Sequence, residues 1–435
     1  MCKIISEAME PQLVKGKKLA SNSLLNLATG LLIVGLHVIF VPLLLNAFGR
    51  ELYGVLTVTW MVLANLAWLD FGLSRASARY VSQELALGRS DEAALWTWTA
   101  VSTQVFLGVL GSGFLWLLAP LIVDHIHVQQ ASRDLVILTI RVFAFSIPID
   151  FANRSVTGVL QAAQRFDWVN GLSLFGTLSM FAVYGGAIVN QADFQFVVYG
   201  LFILRVVNLG ATCWAAIQVL PSLRRLPQIG VFFGRYRHLV GVMLRYGSWI
   251  AVAAIAGPLL LSFDQWAVTV ILGVALLPFY AVPFGLLWRL FLFPSSLASA
   301  LFPAFSALEA TKEWSRIEDY FVRAHRYLLA ALIPALFVLY EWAFEILRFW
   351  IGQEFASEGA LVMRILILGF GVGLLGPISG ALLEAIGRAD VLVKLYIVEL
   401  PFNIAAVWLL TSSYGIVGAA ASYVLRSFVE TVAVW

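Results

Sequence analysis

Apolar residues run along this chain in twelve long stretches, each closed off by a short polar turn. A spanning α-helix needs roughly 20 apolar residues in succession. The pattern predicts spans over 22–47, 53–72, 94–123, 135–160, 168–190, 194–219, 246–273, 278–304, 325–350, 361–383, 389–411 and 415–435. The turns between them join helix breakers to polar residues, as in Gly49-Arg50-Glu51, Gly88-Arg89-Ser90-Asp91, Asn190-Gln191-Ala192-Asp193, Gly387-Arg388-Ala389-Asp390 and Ser412-Ser413-Tyr414-Gly415. The expected fold class is an all-α polytopic membrane protein. The first run, Leu24 to Leu45, follows Lys15, Lys17 and Lys18 as a signal peptide's core would. It is too long for such a core, which spans about 7–15 residues, and reads as a retained helix.

Composition sharpens this reading. The chain is 61% hydrophobic and 12% charged, with a mean hydropathy of +0.89. A soluble domain is about a quarter charged, so little of this surface faces water. Cys2 and Cys213 are the only cysteines, and no Cys-x-x-Cys or His-x-x-x-His spacing points to a metal. No phosphate-binding loop for a nucleotide is present, which argues against direct drive by ATP.

The net charge of +3 hides a strong sidedness. Of the 28 Lys and Arg, 19 fall in the N-terminal tail and the even-numbered loops, whereas Arg50, Arg133, Arg348 and Arg364 mark the odd-numbered ones. Positive charge collects on the cytoplasmic side, so both termini are expected in the cytoplasm and the number of spans is expected to be even. The longest basic connection, 220–245, contains Pro221, Pro227 and Gly230. It divides the chain into a six-helix lobe at 1–219, a basic cytoplasmic linker at 220–245 and a second six-helix lobe at 246–435. Phe48-Gly-Arg-Glu-Leu-Tyr53-Gly-Val in one half is weakly echoed by Gly273-Val-Ala-Leu-Leu-Pro-Phe-Tyr280-Ala-Val in the other. Two such halves around a central cavity are a common transporter plan. Pro42, Pro148, Pro258, Pro283, Pro294, Pro334 and Pro377 lie in or near spans and invite kinks.

Five arginines remain inside the spans: Arg141, Arg154, Arg205, Arg289 and Arg426. A central charge costs roughly 2.5–3.5 kcal/mol on insertion scales, so each must snorkel, pair or line a wet cavity. Asp150, Arg154, Gln161 and Gln164 share one helical face, either as an Asp150–Arg154 pair or as a polar stripe along a vestibule. Arg289 has no acid within a turn and is the foremost candidate for a cavity cation, the alternative being a pair with Asp264. Arg141 and Arg205 are cavity candidates or links between helices, and Arg426 has Glu430 one turn on. Among the membrane acids, Asp264 and Glu399 are candidates for coupling to a proton or sodium gradient, or for structural pairing with arginine.

Several segments resemble the polysaccharide repeat-unit flippases of the multidrug/oligosaccharidyl-lipid/polysaccharide exporter superfamily. They are Asn22-Ser-Leu-Leu-Asn26, Pro42-Leu-Leu-Leu, Phe48-Gly-Arg-Glu-Leu-Tyr53-Gly, Leu69-Asp70-Phe-Gly-Leu-Ser-Arg75-Ala, Tyr246-Gly-Ser-Trp, Asp264, Leu272-Gly, Tyr280-Ala-Val-Pro283, Phe302-Pro-Ala-Phe-Ser306 and Leu383-Glu384-Ala-Ile-Gly387-Arg-Ala-Asp390, with Glu399 following. The resemblance implies a V-shaped pair of six-helix bundles in a bacterial inner membrane. It implies transfer of an undecaprenyl-diphosphate-linked oligosaccharide, an O-antigen or related unit, between leaflets by alternating access. The implied partners are that lipid-linked oligosaccharide, membrane lipids, and a glycan polymerase with its chain-length protein. No nucleic acid and no resident cofactor are implied. Guanidinium forks suit a diphosphate. Two other readings stand beside this one. A multidrug antiporter of the same superfamily would favour an acidic cavity, and a membrane glycan polymerase or ligase would need a larger outer loop.

Overall fold

The computed structural model describes the backbone of residues 2–65, 69–126, 128–225, 227 and 229–434. Side chains are described from Leu32 onward, except at 131, 229–233, 246–258, 300, 303, 307, 310, 389 and 393. Among these residues the fold is helical, without strands. Fifteen α-helices follow one another: α1 (Cys2–Asn65), α2 (Leu73–Ala86), α3 (Ser90–His125), α4 (Arg133–Ala144), α5 (Ser146–Ala162), α6 (Phe166–Val189), α7 (Phe194–Val219), α8 (Ile229–Ala267), α9 (Leu277–Trp288), α10 (Leu292–Ala310), α11 (Trp314–Glu341), α12 (Ala343–Trp350), α13 (Gln353–Gly373), α14 (Gly376–Ala385) and α15 (Ala389–Val434). Nine segments of the described residues are long and apolar enough to cross a membrane, and Leu259–Leu272 adds a shorter apolar helical stretch.

Two of those nine fold back on themselves. α1 leaves helical geometry at Gly49, where φ is 76° and ψ 171°, and α15 does so at Gly415, where φ is 61° and ψ −142°. Glycine reaches such angles without strain. The arms of α1 line one pocket through His37, Val41, Tyr53 and Trp60, and those of α15 meet where Tyr396 donates to Glu430 at 3.3 Å. Gly418 closes the second hairpin so tightly that an added Cβ would stand 1.9 Å from the Leu410 carbonyl oxygen.

Proline sets the other interruptions. A proline ring clashes with the carbonyl four residues earlier. The α4–α5 break at Phe145, the short 3₁₀ turn Arg289–Phe291 and the α13–α14 break at Leu374–Leu375 precede Pro148, Pro294 and Pro377 at about that spacing. With the hairpins and these kinks, the expected spans fall on helical segments. The second differs in extent. It pauses after Asn65, residues 66–68 lie outside the described residues, and the chain resumes beyond the expected end as α2, an amphipathic helix. Likewise the region 220–245 is a 3₁₀ turn at Pro221–Arg224 and then helix from Ile229. In α8, Leu239 and Met243 bury against Leu73, Ala76, Ala93 and Ala100 of α2 and α3.

The two halves meet at the face opposite the basic loops. There Gly54 lies so close to the second half that a Cβ would stand 2.2 Å from the Val274 carbonyl oxygen. Val274 donates its N–H to Ile126 at 3.1 Å. Trp350 donates to the Val38 carbonyl at 2.5 Å, and Arg50 pairs with Glu354 at 2.8 Å while lying 5.4 Å from the Phe279 ring centroid. The two echoing turns, around Gly49 and Gly273, thus pack on one another. At the basic face, the joins run through Asn65, which donates to Ser262 at 2.8 Å, and through the first half of α8, where Arg235 pairs with Glu92 at 2.8 Å.

Candidate functional site

Arg289 stands at the junction of the two halves. It is the first residue of the 3₁₀ turn that Pro294 imposes, 12 positions after α9 begins, about 18 Å along the helix from the closed face. Set against a bilayer core of about 30 Å, the backbone of Arg289 lies in the interior of the span. It lines a cleft of about 80 Å³ with His37, Val41, Tyr53, Gly285 and Trp350. His37, Val41 and Tyr53 also border a neighbouring cavity of about 300 Å³, whose far wall is Trp60, Phe181 and Tyr184. No carboxylate among the described residues pairs with Arg289. The expected alternative of an Asp264 partner is not what forms, because Asp264 accepts from the Tyr280 hydroxyl at 2.9 Å instead.

The other four arginines are dispersed. Arg205, on α7, pairs with Asp150 of α5. Its guanidinium lies 4.8 Å from the Trp60 ring centroid and 5.5 Å from that of Phe143, so its charge is neutralised inside the first lobe. Asp150 therefore takes Arg205 as partner and not Arg154, contrary to the pair expected one turn apart. Arg154, Gln161 and Gln164 are exposed, and Asp150 is half-buried. Of the polar stripe read from the sequence, Asp150, Arg154 and Gln161 lie on α5, whereas Gln164 falls in the turn beyond its end at Ala162. Arg141 caps the Trp116 ring at 4.3 Å, and its Nε is buried without a partner. It is not among the residues that line the Arg289 cleft.

Arg426 is buried in the second lobe. It lies 3.5 Å from Glu430 and 5.1 Å from the Tyr423 ring centroid, and within electrostatic reach of Asp264 and Glu399. This group borders a cavity of about 650 Å³ that Trp288, Tyr396, Ser427 and Glu384 help to line. Asp264 is 1% exposed and keeps one carboxylate oxygen without a hydrogen bond. Both carboxylate oxygens of Glu399 and the whole amide of Asn403, one turn on, also have no hydrogen-bond partner. Buried oxygens of this kind favour a proton or a small cation. The last turn of α8 after Asp264 widens into a π turn over Val268–Leu272, a feature frequent at functional sites.

Four contributors escape the sequence reading. Tyr53 and His37 face Arg289, and an unbroken apolar run gives no signal of which face will be wet. Arg75 and Arg79 read as loop charges. They occupy positions one turn apart on α2, whose buried side is Leu73, Ala76, Ser77 and Val81, and both are exposed. The motifs Asn22–Asn26 and Tyr246–Trp249 lie outside the residues whose side chains are described.

Comparison with known proteins gives this geometry a context. The MatE family pattern matches residues 26–184. A Shigella flexneri protein named "Putative O-antigen transporter" is 21% identical over 389 residues, covering 89% of this chain and 90% of its own. Among solved structures, the inward-facing conformation of a multidrug-resistance MATE transporter of the MOP superfamily superposes with a TM-score of 0.75 at 13% identity, over 92% of each chain. The lipid II flippase MurJ in an inward closed conformation superposes with a TM-score of 0.70 at 11% identity, over 94% of this chain and 86% of its own.

Proposed function

We propose that this chain, a multi-pass transporter of the MOP superfamily, is a flippase for a prenyl-diphosphate-linked oligosaccharide. The observation that carries the reading is Arg289, a guanidinium on the seam between the lobes with no carboxylate partner among the described residues. A diphosphate head group cannot cross a hydrocarbon core unaided, and a guanidinium fork aligned with its oxygens lowers that barrier. The prenyl tail is apolar and stays in lipid while the head group passes between the lobes. The resemblance to a protein named as an O-antigen transporter supports an O-antigen or related repeat unit as the cargo.

In this reading the membrane is the bacterial inner membrane, both termini are cytoplasmic, and the closed face looks to the periplasm. Asp264 and Glu399 carry the coupling proton or sodium ion in the second lobe, where Arg426 balances their charge. After transfer the unit passes to a glycan polymerase and its chain-length protein.

The test is Arg289→Ala in cells that depend on this chain for surface glycan. The expected outcome is loss of surface glycan and accumulation of the unpolymerised lipid-linked unit, with the amount of protein in the membrane unchanged. Normal glycan at normal protein level removes Arg289 from the pathway and the proposal with it.

A further inference from the structure

Arg75 and Arg154 stand on adjacent helices, and both lie within electrostatic reach of Asp70. The packing that brings them together is close. Gly158 of α5 sits against α2, so that an added Cβ would lie 3.5 Å from the Ser74 carbonyl oxygen and 3.6 Å from the Ala78 Cβ. Arg154 and Gln161 therefore flank the same helix that bears Arg75 and Arg79, and all four are exposed.

Asp70 does not neutralise this group by ion pairing. Its Oδ1 accepts from the Ser74 N–H at 3.1 Å, from the Ser74 hydroxyl at 3.0 Å and from Gln104. Gln104 is itself fixed on its other side by the Ser155 hydroxyl. Asp70 thus caps α2, and the Asp70–Ser74–Gln104–Ser155 network locks the start of α2 onto α3 and α5. No carboxylate among the described residues forms an ion pair with Arg75 or Arg154, and the nearby Asp150 is committed to Arg205.

Depth gives this group a meaning. Gln104 lies about 32 Å along α3 from His125 at the closed face. That is the thickness of a bilayer's hydrocarbon core, about 30 Å. Arg75 and Arg154, both exposed, therefore sit at the level of the phosphates of the leaflet on the basic face. A diphosphate carried by a membrane-dissolved prenyl chain travels at that level.

We infer that Arg75 and Arg154, flanked by Arg79 and Gln161, form a boarding site that captures the diphosphate of a prenyl-linked substrate at the head-group level, ahead of Arg289 on the seam. This rests on the flippase reading and adds a second phosphate station to it. Asp70 is a positioning residue that holds α2 in register for the site.

The experiment uses the full chain in nanodiscs of phosphatidylcholine, with undecaprenyl diphosphate as probe and native mass spectrometry as readout. Arg75→Gln/Arg154→Gln is expected to weaken probe binding at least tenfold. Arg289→Gln is expected to keep binding within about threefold of the parent, because the first station is intact. Inorganic diphosphate is expected to compete with the probe, and phosphatidylglycerol, with one diester charge, to compete far less. Should the double glutamine variant fold poorly, Arg75→Lys/Arg154→Lys restores charge without the fork and is expected to bind between the two. Undiminished binding by the double variant overturns the boarding site and leaves the Arg289 reading intact. Equal competition by phosphatidylglycerol overturns the diphosphate assignment in favour of a general lipid-phosphate site. Loss of binding in Arg289→Gln alone places the first contact at Arg289 and overturns the inference as well.

Discussion

Gly54→Ala tests the closed face directly. The new Cβ would lie 2.2 Å from the Val274 carbonyl oxygen and 3.1 Å from the Val274 Cγ2. Ordinary contact begins near 3.4 Å, so the two lobes must separate by about an ångström at this point. Overpacking of a close contact costs roughly 1–3 kcal/mol. Because the contact exists only while this face is shut, that cost falls on the closed state. It lowers the closed-to-open ratio roughly 5–150-fold. Spin labels at Gln130 and Glu358, both exposed at this face on opposite lobes, read that ratio as a distance distribution in a background without Cys2 and Cys213. The short-distance population is expected to shrink and a longer one to grow, with thermal melting in detergent little changed. The contrast is Glu354→Gln. The Arg50–Glu354 pair has a carboxylate side chain 77% exposed, and such pairs contribute about 0–1 kcal/mol, so its distribution should hardly move. A Gly54→Ala distribution indistinguishable from the parent's would refute the view that backbone packing, and not the ion pair, holds the face shut.

Further outcomes follow from the same geometry. Asp264→Asn removes a buried carboxylate beside Arg426, and transport is expected to lose its dependence on a proton or sodium gradient; an unchanged gradient response at normal rate takes Asp264 out of the coupling. At the head of α11, Glu313 accepts from Arg316 at 2.7 Å and from the Thr311 hydroxyl at 2.8 Å. The Arg316 bond, then that of Thr311, holds this exposed carboxyl below its ordinary range. A lowered folded value stabilises above the unfolded one and is lost as pH falls through the folded value. Glu313→Gln should therefore melt slightly lower than the parent at neutral pH, and the difference should shrink and vanish as pH falls through the lowered folded value of Glu313; a gap that persists at strongly acid pH would assign the loss to packing instead of charge.

Much of the architecture was legible because a membrane span must satisfy its backbone internally and cover itself with apolar side chains. Runs of that kind announce their number and rough ends, and glycine at Gly49 and Gly415 marked where the chain turns. The kinks were legible for a similar local reason, since Pro148, Pro294 and Pro377 act on carbonyls a fixed distance upstream. α2 was not, because its buried side is made of small residues and short aliphatics while its outward side carries Arg75 and Arg79. By composition it looks like a charged loop. The pairing of charges was least legible of all. Asp150 has Arg154 one turn away on its own helix, yet the partner it takes is Arg205, brought in by α7 from 55 positions along the chain. Arg289 could be singled out because no acid lies near it in sequence, and the fold brings none to it among the described residues.

The distribution of charge bears on the choice between a flippase and a cation antiporter. In the first lobe Arg205 and Asp150 cancel. In the second, Arg426 stands among Glu430, Asp264 and Glu399, so the acids outnumber the arginine. Arg141 has only the Trp116 ring for a partner; along the proposed route, the arginines without an ion pair among the described residues are Arg289 on the seam and Arg75 with Arg154 at the level of the basic face. A cationic drug moving along that line would meet repulsion at both depths, whereas a diphosphate would meet a donor fork at each. Guanidinium charge in the interior of a span is expensive unless an anion visits it, at roughly 2.5–3.5 kcal/mol even with snorkelling. Arg289 has Tyr53 and His37 beside it, where a carboxylate would have been the cheaper neighbour. Leaving that position cationic makes physical sense only if the compensating negative charge arrives with the cargo.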